Sequence, residues 1–293
     1  MSERGRRASV LALPFAWLVL FFLVPFVIVL GISLAQQAIG IPPYTPLVAR
    51  GAGGIEVDAS LANYALLAGD PLYLRAYLDA VLYALTATVL ALLIGYPMAY
   101  AIVRAPKSWR ATLLLLVILP FWTSFLIRVY AWIGLLKGNG LVNNVLLALG
   151  LIDAPLPLLN NLFAVELGLV YSYLPFMVLP LYAALEKLDP VLLEAAADLG
   201  CRPATAFRRV TLPLSLPGVM AGTLLVFIPM CGEFVIPDLL GGPSTLMIGK
   251  VLWDEFFTNR DWPVASAVAV AMLVLLLIPM AALRRFLAGT GKE

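Results

Sequence analysis

Glu194-Ala195-Ala196-Ala197-Asp198-Leu199-Gly200, separated by nine residues from Val210-Thr211-Leu212-Pro213, is a polar helix-and-turn cassette set between two long apolar segments. Asp189 suits an N-cap, Pro190 the first helical position, and Gly200 the left-handed residue that ends a helix. Pro203 predicts a second helix start, with Arg208 and Arg209 near its carboxyl end, where positive charge complements the helix dipole. In a membrane protein, a structured loop of this kind offers a socket to a soluble partner. The competing reading is an amphipathic interfacial hairpin whose basic residues meet anionic lipid.

Outward from the cassette, the chain is apolar. Of its 293 residues 62% are hydrophobic and only 12% charged, too little charge to cover a water-facing surface. A helix needs ~20 apolar residues to cross ~30 Å of hydrocarbon. Six runs qualify, at about 10–35, 78–103, 111–133, 163–185, 214–236 and 263–283. None shows the strict alternation of a barrel strand. The expected fold is all-α and polytopic: one transmembrane domain over residues 1–293, six transmembrane helices, and the cassette in a loop at about 187–213.

Charge sets the orientation. Arg4, Arg6, Arg7, Arg104, Lys107, Arg110, Lys187, Arg202, Arg208, Arg209, Arg284, Arg285 and Lys292 place 13 of the 19 basic residues on the faces that hold the termini and the cassette. Six of the 17 acidic residues share those faces (Glu3, Glu186, Asp189, Glu194, Asp198 and Glu293), so the balance is +7 there and −5 elsewhere. Basic loops stay in the cytoplasm, so both termini and the cassette are expected there. The first run is longer than a secretory h-region and no A-x-A-like site closes it, which reads as a retained anchor.

Enzymatic chemistry has little to stand on. With no histidine there is no His-based triad or His metal site, and Cys201 and Cys231 lie in different environments, unsuited to a disulfide or a zinc cluster. The terminal Gly289-Thr290-Gly291-Lys292-Glu293 is no phosphate loop: the first glycine position is Phe286 and the Ser/Thr position is Glu293. No catalytic residue, metal or bound cofactor is expected in this chain, nor a nucleic-acid partner. If ATP drives the protein, another subunit binds it.

The spacing E-A-A, three residues, G, nine residues, aliphatic-x-L-P resembles the EAA loop of permease subunits in binding-protein-dependent ABC importers, with Val210 where isoleucine is usual. In that family a short coupling helix sits in a cleft on the nucleotide-binding subunit and passes ATP-driven closure to the spans. The resemblance puts this role on Glu194, Ala195, Ala196, Asp198, Gly200, Arg202, Leu212 and Pro213. Pro42-Pro43-Tyr44-Thr45, Asp70-Pro71-Leu72-Tyr73, Gly95-Tyr96-Pro97, the run from Pro120 to Trp132, Gly232-Glu233-Phe234-Val235-Ile236-Pro237 and Asn259-Arg260-Asp261-Trp262-Pro263 are similar to polyamine-importer permeases, most closely those for putrescine. That resemblance implies a type I ABC importer permease fold in the bacterial inner membrane. It also implies a heterodimer with a second permease, two ATPase subunits that hold ATP and Mg, and a periplasmic polyamine-binding protein. An EAA loop does not name the solute, so spermidine or an amino acid stays open. So does an ion-coupled secondary transporter, which requires an internal repeat and intramembrane coupling acids.

The residues support a cationic solute independently. Polar groups at membrane depth are expensive and face a bundle interior, and Glu233 follows Pro229 and Gly232, where the fifth span is expected to be interrupted. Its carboxylate is either an ammonium contact or an internal partner of Arg128 or Lys250. Trp122, Tyr130, Trp132, Tyr171 and Tyr173 offer ring faces to ammonium groups, or belong to packing and interfacial belts. Glu166 is a weaker candidate at the outer interface. Asp238, Asp254, Glu255 and Asp261 are expected either to attract a polycation and contact the binding protein or to be solvated loop residues.

Overall fold

The computed structural model describes the backbone of residues 3–51 and 54–290 and the side chains of residues 11–48 and 58–281. Arg4, Arg6, Arg7, Arg284, Arg285 and Lys292, which carry part of the charge asymmetry, lie outside the described side chains, as do Glu3 and Glu293.

Helix α1 (Glu3–Leu18) continues through a π turn (Val19–Leu23) into α2 (Val24–Ser33). A short antiparallel pair follows, β1 (Val48–Gly51) with β2 (Gly54–Val57), and then α3 (Ala62–Gly69) and the long α4 (Pro71–Arg104). Next come α5 (Lys107–Ile118), a 3-10 turn (Leu119–Trp122), α6 (Phe125–Leu136), α7 (Leu141–Ala148) and α8 (Leu162–Glu186). The cassette forms α9 (Pro190–Asp198) and α10 (Pro203–Ala206); a π turn (Phe207–Thr211) leads into α11 (Leu212–Cys231). After α12 (Val235–Leu240) and α13 (Ile248–Trp253), a third π turn (Asp254–Thr258) precedes α14 (Trp262–Thr290).

Side-chain caps fix several of these starts. Asp70 Oδ1 accepts from the Leu72 amide at 2.8 Å, Asn161 Oδ1 from Ala164 at 3.0 Å and Asp261 Oδ1 from Val264 at 3.0 Å, each filling an amide that the helix leaves without a partner. Among the described residues six helical stretches are long and apolar enough to cross a membrane: Leu11–Ser33, Pro71–Arg104, Phe125–Ala148, Leu162–Glu186, Pro203–Cys231 and Trp262–Ala281.

Two expectations are corrected. The run 111–133 is not one helix: α5 ends at Ile118, and Thr123 and Ser124 are extended before α6 begins. Pro120 brings no N–H to the helix ladder, so the chain tightens and breaks there. The second cassette helix does not end at Arg208 and Arg209; they lie in the π turn of a helical run continuing to Cys231, so no carboxyl-terminal dipole favours them. Pro213 would leave the Arg209 carbonyl without its usual donor, and the Leu212 amide reaching back to Phe207 O widens the turn just before it. The same arrangement recurs where Val24 N reaches Val19 O one residue before Pro25.

Contacts divide the chain into two compact units, Met1–Arg75 with Val251–Leu275, and Ala76–Lys250 with Leu276–Glu293. In the first, Asn63 Nδ2 donates to Ser33 O and Ala35 O, both at 2.9 Å, and the Ser33 and Tyr64 hydroxyls meet at 2.7 Å, tying the end of α2 to α3. In the second, α8 and α11 pack along one another over buried Leu169, Met177, Leu181, Val226 and Met230. Apolar burial does not drive helix pairing in lipid, so close backbone approach through small residues carries it. Gly222 lies against Met177, and Gly218 against Pro180 O and Ala184.

Gly218→Leu is therefore expected to destabilise the α8–α11 pair, since a Cβ there already falls 2.8 Å from Pro180 O. Overpacking of this kind costs ~1–3 kcal/mol or more. Thermal unfolding in detergent should show a lowered midpoint, while Gly134→Ala, inside α6 with nothing within 4 Å of its Cβ position, should not lower it.

Candidate functional site

The cassette is built as its residues dictate. Asp189 accepts from the Val191 amide at 3.0 Å, Pro190 opens α9, and Gly200 takes a φ of +76°. The Gly200 amide then reaches Ala197 O at 2.8 Å and the Cys201 amide Ala196 O at 2.9 Å, satisfying carbonyls of the last turn. Helix α9 buries none of its residues. Glu194, Ala195, Asp198, Gly200, Arg202 and Pro213 are exposed and Ala196 and Leu212 half-buried; Val191, Leu192 and Leu199 present apolar side chains to the outside.

Phe207, which sequence reading passed over, fastens this segment to the spans. Its ring lies edge-on to Tyr96 at 5.7 Å and to Tyr100 at 5.6 Å, both on α4, and the Tyr96 hydroxyl meets Ser215 Oγ of α11 at 2.8 Å. The signal available in sequence was the aromatic at 207 following Tyr96 and Tyr100, but only the fold brings them together.

Glu233 occupies the expected interruption: α11 ends at Cys231 and α12 starts at Val235. It is 8% exposed. Oε2 accepts from the Tyr173 hydroxyl at 2.6 Å, and Oε1 accepts from the Phe234 and Val235 amides at 3.1 and 3.0 Å. In these bonds the carboxyl is an acceptor and also caps α12. Arg128 serves the other break: its Nη1 donates to Pro120 O, Phe121 O and Thr123 O at 2.9, 3.2 and 2.5 Å. Lys250 Nζ stands 3.1 Å from Asp238 Oδ1.

Rings join the two breaks. Arg128 lies 5.5 Å from the Phe121 centroid, Phe121 is edge-on to Phe176 at 5.2 Å, and Phe176 is 6.2 Å from Tyr173. Trp132 and Tyr171 form a separate edge-on pair at 5.3 Å. Trp122 and Tyr130 are not drawn in; they are 75% and 58% exposed. Phe121 and Phe176 are additions that no charge or spacing signal marked. Glu166 accepts from the Thr86 hydroxyl, and its Oε2 is buried without a hydrogen-bond partner among the described residues.

Three of the outer acids belong to the first unit. Glu255 accepts from the Tyr73 hydroxyl at 2.9 Å and from Asn259 Nδ2 at 2.8 Å; Asp254 shares its π turn and Asp261 caps α14. Burial pushes the Asp261 carboxyl above its ordinary value; the Val264 amide opposes this and neighbouring Glu255 adds to it. Asp238 sits on α12 in the second unit, paired with Lys250.

Residues 91–290 match the family described as binding-protein-dependent transport system inner membrane component. The chain belongs to that family. It is 42% identical over 265 residues to the spermidine/putrescine transport system permease protein PotB of Haemophilus influenzae, across 90% of this chain and 88% of that one. To PotB of Escherichia coli it is 41% identical over 260 residues, 89% and 90% of the respective chains. Among solved structures, a bacterial ABC transporter for import of the acidic polysaccharide alginate superposes with a TM-score of 0.62 at 20% identity over 97% of this chain and 96% of that one. The inward-facing MetNI methionine transporter gives 0.56 at 19% identity over 74% and 94%. These two share the fold. The family member is thus a six-span, multi-pass inner-membrane permease of the ABC-importer kind and not an enzyme. Family membership leaves the gradient-driven alternative without support.

Tyr173→Phe tests the geometry at Glu233. A hydrogen bond to a charged group contributes ~1.5–3 kcal/mol, so the variant should unfold at a lower temperature by an equivalent amount. Phe176→Leu, which leaves that bond intact, should have the smaller effect in the same melt.

Proposed function

We propose that this chain is one of two related permease subunits of a type I ABC importer that carries putrescine from periplasm to cytoplasm. The observation that supports this best is the buried Glu233 carboxylate beside the α11–α12 break, in a chain 42% identical to a spermidine/putrescine permease. Glu233 and the Tyr173 hydroxyl give an ammonium group a place to exchange hydrogen bonds. Ring faces at Tyr171 and Trp132 add ~0.5–2 kcal/mol each by cation–π attraction. Trp122 and Tyr130, exposed on the isolated chain, join this track where the second permease covers them. Weak, distributed contacts suit a conduit, because a site that binds too tightly does not release.

In this reading both compact units act as one transmembrane permease domain, with both termini and α9 in the cytoplasm by the positive-inside rule. ATP and Mg bind to two partner ATPase subunits, which supply the energy of transport; this chain holds neither. The exposed apolar residues of α9 lie in a cleft of an ATPase subunit, and displacement of α9 passes through Phe207 to α4 and α11. Asp238, Asp254, Glu255 and Asp261 face the docked polyamine-binding protein. Spermidine is the second reading, favoured by the two solutes in the relatives' names.

Uptake into vesicles containing the assembled complex tests the solute site. Glu233→Gln should lower putrescine uptake roughly tenfold, about 1.4 kcal/mol of lost attraction, with subunit assembly and binding-protein affinity retained; Glu233→Asp should keep part of the activity. Full uptake by the Gln variant excludes the pathway role, and competition by spermidine at equal concentration decides between the solutes. For coupling, Gly200→Val forces a β-branched residue into a left-handed position, and Phe207→Ala removes both edge contacts to α4. Each should leave the spans inserted while uptake falls and ATP hydrolysis no longer follows substrate. Coupled transport in both would overturn the role assigned to α9.

A further inference from the structure

We propose that the loop formed by residues 36–45 is an interfacial membrane anchor, with Ile39 and Ile41 inserted among the lipid headgroups of the leaflet at which α2 ends. The loop is a closed, held structure. Gln37 pairs with Tyr44 as an antiparallel bridge, Thr45 N donates to Gln36 O at 2.9 Å, Ala38 N to Pro43 O at 3.2 Å, and Gln36 N to Thr45 Oγ1 at 3.1 Å. At its tip Ile39 and Ile41 are fully exposed. A single exposed aliphatic residue is ordinary, but two on a fixed tip form a surface that needs a cover.

Lipid is the occupant that the surroundings fit. From Leu34 to Ala49 there is no Asp, Glu, Lys or Arg, so the loop itself brings none of the charge that steers and registers a protein partner. Beside it stands an aromatic group of the kind found at headgroup level. Tyr44 lies 6.2 Å from Trp262, Trp262 stacks on Phe256 at 5.0 Å and 4°, and Phe257 joins Phe256 at 4.8 Å to Trp253 at 4.1 Å. Phe257 and Trp253 are exposed. Arg260, with a φ of +54°, lines a hollow of about 280 Å³ together with Gln37, Ile39, Ile41 and Trp262, so a cation able to meet a lipid phosphate stands beside the tip.

Position agrees with chemistry. Ser33 is the last residue of α2 and Trp262 the first of α14, both ends of membrane-crossing stretches. Ile39 and Ile41 are each at most three residues from the Gln37–Tyr44 bridge, which holds them within ~10 Å of it. Headgroup zones are roughly 5–8 Å deep on each side of the core, and interfacial segments bury ~5–10 Å. The tip is therefore continuous with the lipid-facing zone of the spans.

The test uses the assembled complex in nanodiscs of phosphatidylethanolamine and phosphatidylglycerol, cysteine-free except for Ile39→Cys or Ile41→Cys carrying a bimane label, with Asp58→Cys as an exposed reference. Phospholipid bearing a shallow nitroxide should quench positions 39 and 41 roughly threefold more than it quenches position 58, with a soluble nitroxide giving the reverse order. Adding loaded binding protein should leave that pattern unchanged. Quenching at 39 and 41 equal to that at 58 would overturn the anchor. So would protection that appears only when the binding protein is added, which would assign the tip to protein docking. The readout does not depend on which solute is carried.

Discussion

A backbone group buried in protein without a hydrogen bond has no water to turn to, and a broken helix survives there only if something in the protein completes it. Two breaks in this chain are completed by opposite charges. At the first, Arg128 gathers the carbonyls of Pro120, Phe121 and Thr123; at the second, Glu233 gathers the amides of Phe234 and Val235. The signs follow from the backbone: carbonyls left open by a helix ending need a donor, and amides left open by one beginning need an acceptor. Each buried charge is expensive to desolvate, and each is offset by several charge-assisted bonds rather than by one salt bridge. The path Arg128, Phe121, Phe176, Tyr173, Glu233 ties the two repairs into one cluster.

Helix α9 works under the opposite constraint. It has no buried residue, so its position is set by what flanks it: the Asp189 cap, the left-handed Gly200 and the Phe207 ring held against Tyr96 and Tyr100. That arrangement suits the coupling role proposed for α9: a free surface on the helix and contacts that fix the segment after it to the spans. Beyond the turn at Gly200, the helical run from Pro203 into α11 and the hydroxyl pair of Tyr96 and Ser215 hold the segment to the spans.

How much of this was readable from residues alone follows from the range of each interaction. Caps and stops are local, so Asp189, Pro190 and Gly200 behaved as their chemistry requires, and Pro229 with Gly232 announced the break at Glu233. Six apolar stretches follow from length and hydropathy. The third span misled because hydropathy runs smoothly across residues 111–133, whereas Pro120 and the extended Thr123 and Ser124 depend on a donor, Arg128, turning back onto them. Arg208 and Arg209 misled because a π turn absorbs Pro213 without ending the helix. For Tyr173 and Trp132 aromatic chemistry marked the residue type, but only tertiary packing separates them from exposed Trp122 and Tyr130.

The two oxygens of Glu233 are engaged, one by Tyr173 and one by the start of α12, so on the proposed function a visiting cation would compete with or share bonds that also hold the break. An ammonium group drawing Oε2 away from Tyr173 would loosen the α8 side of the cluster while Oε1 kept α12 capped. On the proposed function the acid would meet solute with one atom and backbone with the other. A carboxylate on a continuous helix would bind a cation without any link to helix position, whereas one set at a break couples occupancy to the packing of α8, α11 and α12.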